Sequence, residues 1–163
     1  MYRSVIISIG FLFIALVGLT QLTLAQRADR VANSDEVRIL SLINRERSRK
    51  GLSDLGWNDD LAALARNYSE RMSREHFFAH VDSSGSDVVD RARKMRIRGW
   101  SKIGENLFMC DADGDFTSLS VRGWMRSPTH RDNLLDPEWQ ATGIGVAYAR
   151  NGDIYITEVF ADK

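Results

Sequence analysis

The 163-residue sequence has one cysteine, two prolines, three histidines and no net charge, its 22 basic residues balanced by 22 acidic ones. Each shortage excludes something. With Cys110 alone, an internal disulfide is impossible, so packing must stabilise the chain, and the thiol reads as a small buried hydrophobe. Neutrality argues against a nucleic-acid partner, because phosphate binding draws on clustered excess Lys and Arg. The one basic cluster, RARKMRIR from Arg91 to Arg98, reads as the solvated face of a helix that turns Ala92 and Met95 inward. No internal repeat or low-complexity tract interrupts the chain, and 44% hydrophobic residues suffice for one globular core.

Long uncharged runs are also missing, except at the start. Arg3 precedes an apolar stretch from Ser4 through Ala25, and TLA followed by Gln26 fits a small-residue cleavage site. Residues 1–25 are therefore expected to be a secretory signal or, if uncut, an N-terminal anchor long enough to span a bilayer. A linker over 26–34 and one domain over 35–163 follow. The expected location is outside the cytoplasm, periplasmic, extracellular or secreted, with membrane contact only through the first segment if it stays attached.

The domain begins with helical signals. Ser34, Asp35 and Glu36 supply a cap oxygen and acidic residues for a helix to about Lys50, with Gly51 as its terminating glycine. Asn58 caps a second helix whose Leu61, Leu64, Ala65, Tyr68 and Met72 fall on one stripe. A third helix is expected over Ser86–Arg98 and a fourth over Phe116–Met125, and SPTHRDNLL restarts a helical turn with Ser127 as cap and Pro128 at its first position. The period then changes: GIGVAYARNGDIYITEVFA holds two β-rich runs around Asn151-Gly152, a two-residue hairpin turn that pairs Tyr148 with Tyr155 and Val146 with Thr157. Gly145, Ala147 and Ala149 share one face, where a helix can lie close. Helices first and a hairpin last make the fold class α+β.

Candidate chemistry is sparse. His76 and His80 stand four apart in HFFAHVDSSG, the spacing that places two imidazoles on one helix face, but Phe77 and Phe78 replace the glutamate of a metalloprotease helix. A second helix ending near Glu75 would separate the two rings. His130 falls at the third position of the SPTH turn, where the positive helix end favours a neutral ring able to bind metal, accept a proton or merely close the turn. Glu105 in IGENLF sits between apolar flanks, and a buried carboxylate there needs a partner, for which histidine is a natural choice. DADGDF, Asp111 to Phe116, lacks the bidentate glutamate of a calcium loop and reads as an acidic surface loop.

Taken in order, LINRERSRKGLSDLGWNDDLAALARNYSERM, HFFAHVDSSG, IGENLF, WMRSPTHRDNLL and GIGVAYARNGDIYITEVF resemble the CAP superfamily of cysteine-rich secretory proteins, antigen 5 and pathogenesis-related proteins, and its bacterial SCP-like branch in particular. The resemblance covers nearly everything after Asp35. It implies a three-layer α-β-α sandwich with a small antiparallel sheet ending in a C-terminal hairpin, and a cleft lined by two histidines and two glutamates that can hold a divalent metal such as zinc. Carried over by motif, the cleft residues are His80, Glu105 and His130, the same three being the metal-ligand candidates, and His76 is left as a surface or helix-end residue. The second glutamate is missing, because Ser127 stands three residues after Trp124 where the family pattern has it. The resemblance thus leaves the cofactor open between none and a divalent metal.

Family members are often described as lipid or sterol binders, so the resemblance implies a secreted binding module for a small apolar or amphipathic ligand or a cell-envelope component. A metal-dependent hydrolase of cell-wall or peptide substrates and a structural domain whose polar cluster only supports the fold remain alternatives. No catalytic residue is assigned.

Overall fold

The computed structural model describes residues 33–111 and 114–162. The expected signal or anchor and the linker through residue 32 lie outside them, as do two positions of the acidic loop, 112 and 113. The described chain forms α1 (Ser34–Ser48), β1 (Gly56–Trp57), α2 (Asp59–Glu75), α3 (Val88–Lys94), β2 (Ile103–Asp111), α4 (Phe116–Arg126), α5 (Pro128–Leu134), β3 (Ala141–Tyr148) and β4 (Asp153–Ala161). No described helix is long and apolar enough to cross a membrane.

Asn33, not Ser34, caps α1: its side chain accepts from Asp35 and Glu36 backbone N–H groups, and Glu36 returns a bond to the Asn33 N–H. This reciprocal box satisfies orphan donors at both positions. Asn58 caps α2 as expected, and Leu61, Leu64, Ala65, Tyr68 and Met72 are all buried along it. The third helix is shorter than its pattern suggests. It begins after Asp87, which caps it, and ends before Met95.

The sheet runs β1-β3-β4-β2. It is antiparallel across β3, β4 and β2, with the two-residue β1 added parallel to β3. One face carries Ile144, Val146, Ile154, Ile156 and Phe160 and packs on Ile39 and Ile43 of α1, Val121 and Trp124 of α4 and Leu134 of α5. The other carries Gly143, Gly145, Thr157 and Val159 under α2 and α3. Helices on both faces of one sheet make the three-layer α-β-α sandwich of an α+β fold.

The hairpin register differs from the two-residue expectation by one. Ala149 N–H donates to Asp153 O at 2.8 Å, so the loop has three residues, and Tyr148 pairs with Ile154, not Tyr155. Gly152 takes the left-handed position, φ 93°, that a three-residue loop requires. Because side chains alternate, the slip moves Glu158 to the face opposite Gly145, where it is fully buried. The expected close helix does form: a Cβ on Gly143 would lie 2.0 Å from Ala62 N, and one on Gly145 2.1 Å from Arg66 N, both in the α2 backbone.

Candidate functional site

β2 is an edge strand, and the candidate side chains gather along it. Alternation sends Glu105 to the α2–α3 face and Asn106 to the opposite face, toward α5. Each is met by one histidine.

On the first face, α2 ends at Glu75 and His76 takes a left-handed backbone, φ 55°. His76 and His80 therefore do not share a helix face, and His76 is an exposed helix-end residue. The segment that follows is pinned by Tyr68, whose hydroxyl donates to Ala79 O at 2.5 Å, and whose ring meets Phe77 edge-on at 6.0 Å. Asp82 fastens the next turn. Burial opposes its charge, but bonds from Ser84 and Ser86 and the Arg71 guanidinium outweigh that penalty and hold it well below the usual carboxylate range.

His80 Nδ1 lies 2.9 Å from Glu105 Oε1, while Arg91 donates to Glu105 Oε2 at 2.6 Å. Arg91 also donates to the carbonyls of His80 and Ser86, both at 3.0 Å, and its guanidinium stacks 3.4 Å from the Tyr68 ring centroid. The Glu105 side chain is 2% exposed, and a carboxylate so buried demands this pairing. A carboxylate only accepts, so His80 donates from Nδ1 and Nε2 is its open nitrogen. The His80 side chain remains 55% exposed.

On the second face, Asn106 donates to His130 O at 3.1 Å, and Asn133 donates to both Asn106 Oδ1 at 3.1 Å and Glu105 O at 3.2 Å. These bonds pin the short α5 to β2. His130 Nδ1 lies 2.8 Å from Ser127 Oγ. Ser127 begins α5 without a side-chain cap bond, contrary to its expected capping role, because that hydroxyl is occupied by the imidazole. Burial, with a smaller contribution from His80, lowers the His130 pKa, so its ring is disposed to stay neutral. The two imidazoles stand 6.5 Å apart between centroids, tilted by 32°.

The geometry thus brings His80, Glu105 and His130 to one edge, in unequal roles. Both Glu105 oxygens are engaged by His80 and Arg91, leaving Nε2 of each histidine without a protein partner among the described residues. No group of three or more His, Cys, Asp or Glu side chains that could hold a metal occurs among the described residues. The expected donor set of two histidines and Glu105 is therefore not arranged around a shared point: Glu105 backs His80.

Sequence reasoning missed Arg91, Asn133 and the role of Ser127. Arg91 belongs to the basic run, where Ala92 and Met95 were the expected inward residues; Ala92 is buried, but Met95 is 40% exposed and the Arg91 side chain only 9%. Its position one residue before the buried Ala92 was the available signal, since adjacent helical positions can both border the buried face.

Residues 40–160 match the sequence profile of the CAP family, described as the cysteine-rich secretory protein family. The chain is similar to the uncharacterized protein YkwD of Bacillus subtilis (strain 168), 33% identical over 78% of this chain and 47% of YkwD. It is also similar to the uncharacterized membrane protein YlbC of the same strain, 31% identical over 72% of this chain and 33% of YlbC. The chain thus spans less than half the length of either relative. Among solved structures, an extracellular protein containing a SCP domain from Bacillus anthracis str. Ames superposes with a TM-score of 0.69 at 27% identity, over 80% of this chain and 41% of that one.

Proposed function

The chain belongs to the cysteine-rich secretory protein family, and from that premise we propose that its domain is a binding module acting outside the cytoplasm, whose ligand contacts the paired imidazoles of His80 and His130. One observation carries this reading. A buried Arg91–Glu105 pair is committed to orienting an imidazole that is itself half exposed. A purely structural histidine would gain more from burial, whereas an oriented and accessible Nε2 suits recognition of a ligand donor or cation.

Apolar surface accompanies the polar pair. Phe78 and Val81, two residues before and one after His80, are 47% and 52% exposed. Such a mixture fits a small amphipathic ligand or an envelope component presenting both characters. The apolar run from Ser4 through Ala25 and the extracellular SCP-domain relative support a location beyond the cytoplasmic membrane.

A hydrolytic reading has less support. Catalytic zinc sites use three protein ligands, and here both Glu105 oxygens are already engaged by His80 and Arg91. Ser127 bonds Nδ1 of His130, the place of an orienting group in a nucleophile–base pair.

Native mass spectrometry of the exported protein, with titration by a fluorescent fatty-acid probe, tests the proposal. His80→Asn keeps a donor for Glu105 and removes Nε2, so binding should fall at least about tenfold while the melting temperature stays within about 3 °C. The reading fails if no ligand is carried or taken up, or if the variant binds as the parent does.

A further inference from the structure

His76 is the histidine that the paired site does not use. It closes α2 in a left-handed backbone that glycine or asparagine usually occupies. Its imidazole lines a separate cavity of about 490 Å³ between the end of α2 and the β3–β4 turn, together with Ser73, Arg74, Tyr148, Arg150 and Asn151. This volume lies within the range of small-molecule sites, about 300–1,000 Å³.

No carboxylate lines this cavity, whereas two guanidinium groups and an imidazole do. Arg150 makes no ion pair among the described residues. Arg74 pairs with Glu75, which Arg71 also contacts. Asp153, the acid nearest Arg150 in sequence, is not part of the lining; its carboxylate accepts from the Asn151 amide and its backbone N–H donates to Asn151 Oδ1. The lining itself thus offers guanidinium and imidazole donors and no carboxylate, and planar guanidinium forks match phosphate oxygens better than a point charge does.

Tyr148 supplies a second kind of surface. It is 56% exposed although its hydroxyl donates to Asp35 at 2.5 Å and Phe116 meets its ring edge-on at 6.0 Å. A ring held at its hydroxyl and packed perpendicular to Phe116 presents its exposed apolar surface in a fixed orientation. We propose that this cavity is a second binding site, independent of the His80–His130 pair, for a phosphorylated sugar: the phosphate on Arg150, Arg74 and His76, the apolar sugar face on Tyr148.

Amide chemical-shift titration of the full chain with glucose 6-phosphate, inorganic phosphate and glucose tests it. Glucose 6-phosphate should shift the amides of His76 and Ala149 to Asn151 below about 10 mM, inorganic phosphate should do so several-fold more weakly, and glucose should leave them unmoved. Arg150→Gln removes an exposed cation without disturbing the core and should weaken glucose 6-phosphate about tenfold, with Arg150→Lys recovering part of the loss. Tyr148→Leu should reduce glucose 6-phosphate to the level of phosphate, and His80→Asn should change nothing. Silence of these amides at about 10 mM, equal shifts with glucose, equal affinities for glucose 6-phosphate and phosphate, unaltered binding in Arg150→Gln, or loss of binding in His80→Asn would each overturn the assignment.

Discussion

Two buried carboxylates show opposite solutions to the same problem. Glu105 is matched by Arg91 and His80, and removing the cation leaves a charge in a low-dielectric place. Arg91→Met should therefore cost about 3–5 kcal/mol in urea unfolding, and adding Glu105→Gln should restore much of it. Glu158 is fully buried, and its Oε2 has no hydrogen-bond partner. Burial, opposed only in part by Thr142 and Arg47, pushes its carboxyl from 4.5 up to about 8. A raised folded-state pKa means that the folded protein holds the proton more tightly, so this contribution is complete below pH 4.5 and is lost as pH rises through about 8. Glu158→Gln should flatten the decline of melting temperature across that window and exceed the parent by about 2 kcal/mol or more above it. For His130, whose pKa burial and His80 both lower, proton NMR should find titration below 6.5, with His80→Asn raising it only in part because burial is the larger cause.

At the scale of elements, the α2–β3 contact depends on two missing side chains. The methyl of Gly143→Ala or Gly145→Ala would meet helix backbone, which cannot rotate aside as a side chain can. Each substitution should cost at least about 3 kcal/mol in denaturant unfolding, beyond the usual overpacking penalty. The apolar stripe of α2, the cap at Asn58 and the existence of the hairpin were all legible in the sequence, because each depends on local periodicity or turn chemistry. The register was not. Asn-Gly suits a two-residue turn, and the three-residue loop that forms keeps Gly152 at positive φ while putting Thr157 and Val159, not Glu158, on the face of Gly143 and Gly145. The edge of β2 was equally illegible: Trp124 donates to Leu107 O and Asn133 to Glu105 O, so two helices satisfy carbonyls that an edge strand would otherwise expose.

At the scale of the described domain, both helical layers share a single sheet, so neither should survive loss of the other. In a Trp100→Phe variant the remaining Trp57, Trp124 and Trp139 report on one face of that sheet, and far-UV circular dichroism reports on the helices of both. Urea transitions followed by the two signals should coincide, and separated midpoints would show that the layers uncouple. The paired histidines sit where those layers meet β2, His80 following α2 on one face and His130 within α5 on the other. From the sequence came the helix stripes and the hairpin, which spacing and local chemistry carry, and, through the resemblance of its ordered motifs to the family, the grouping of His80, Glu105 and His130. Only the tertiary structure decided that Arg91 turns inward to Glu105, that Ser127 serves His130 instead of a helix cap, and that His76 lines a different cavity. Those outcomes depend on contacts between segments remote in the chain, whose energies are set by burial and by which partner is within reach, and no local pattern encodes either.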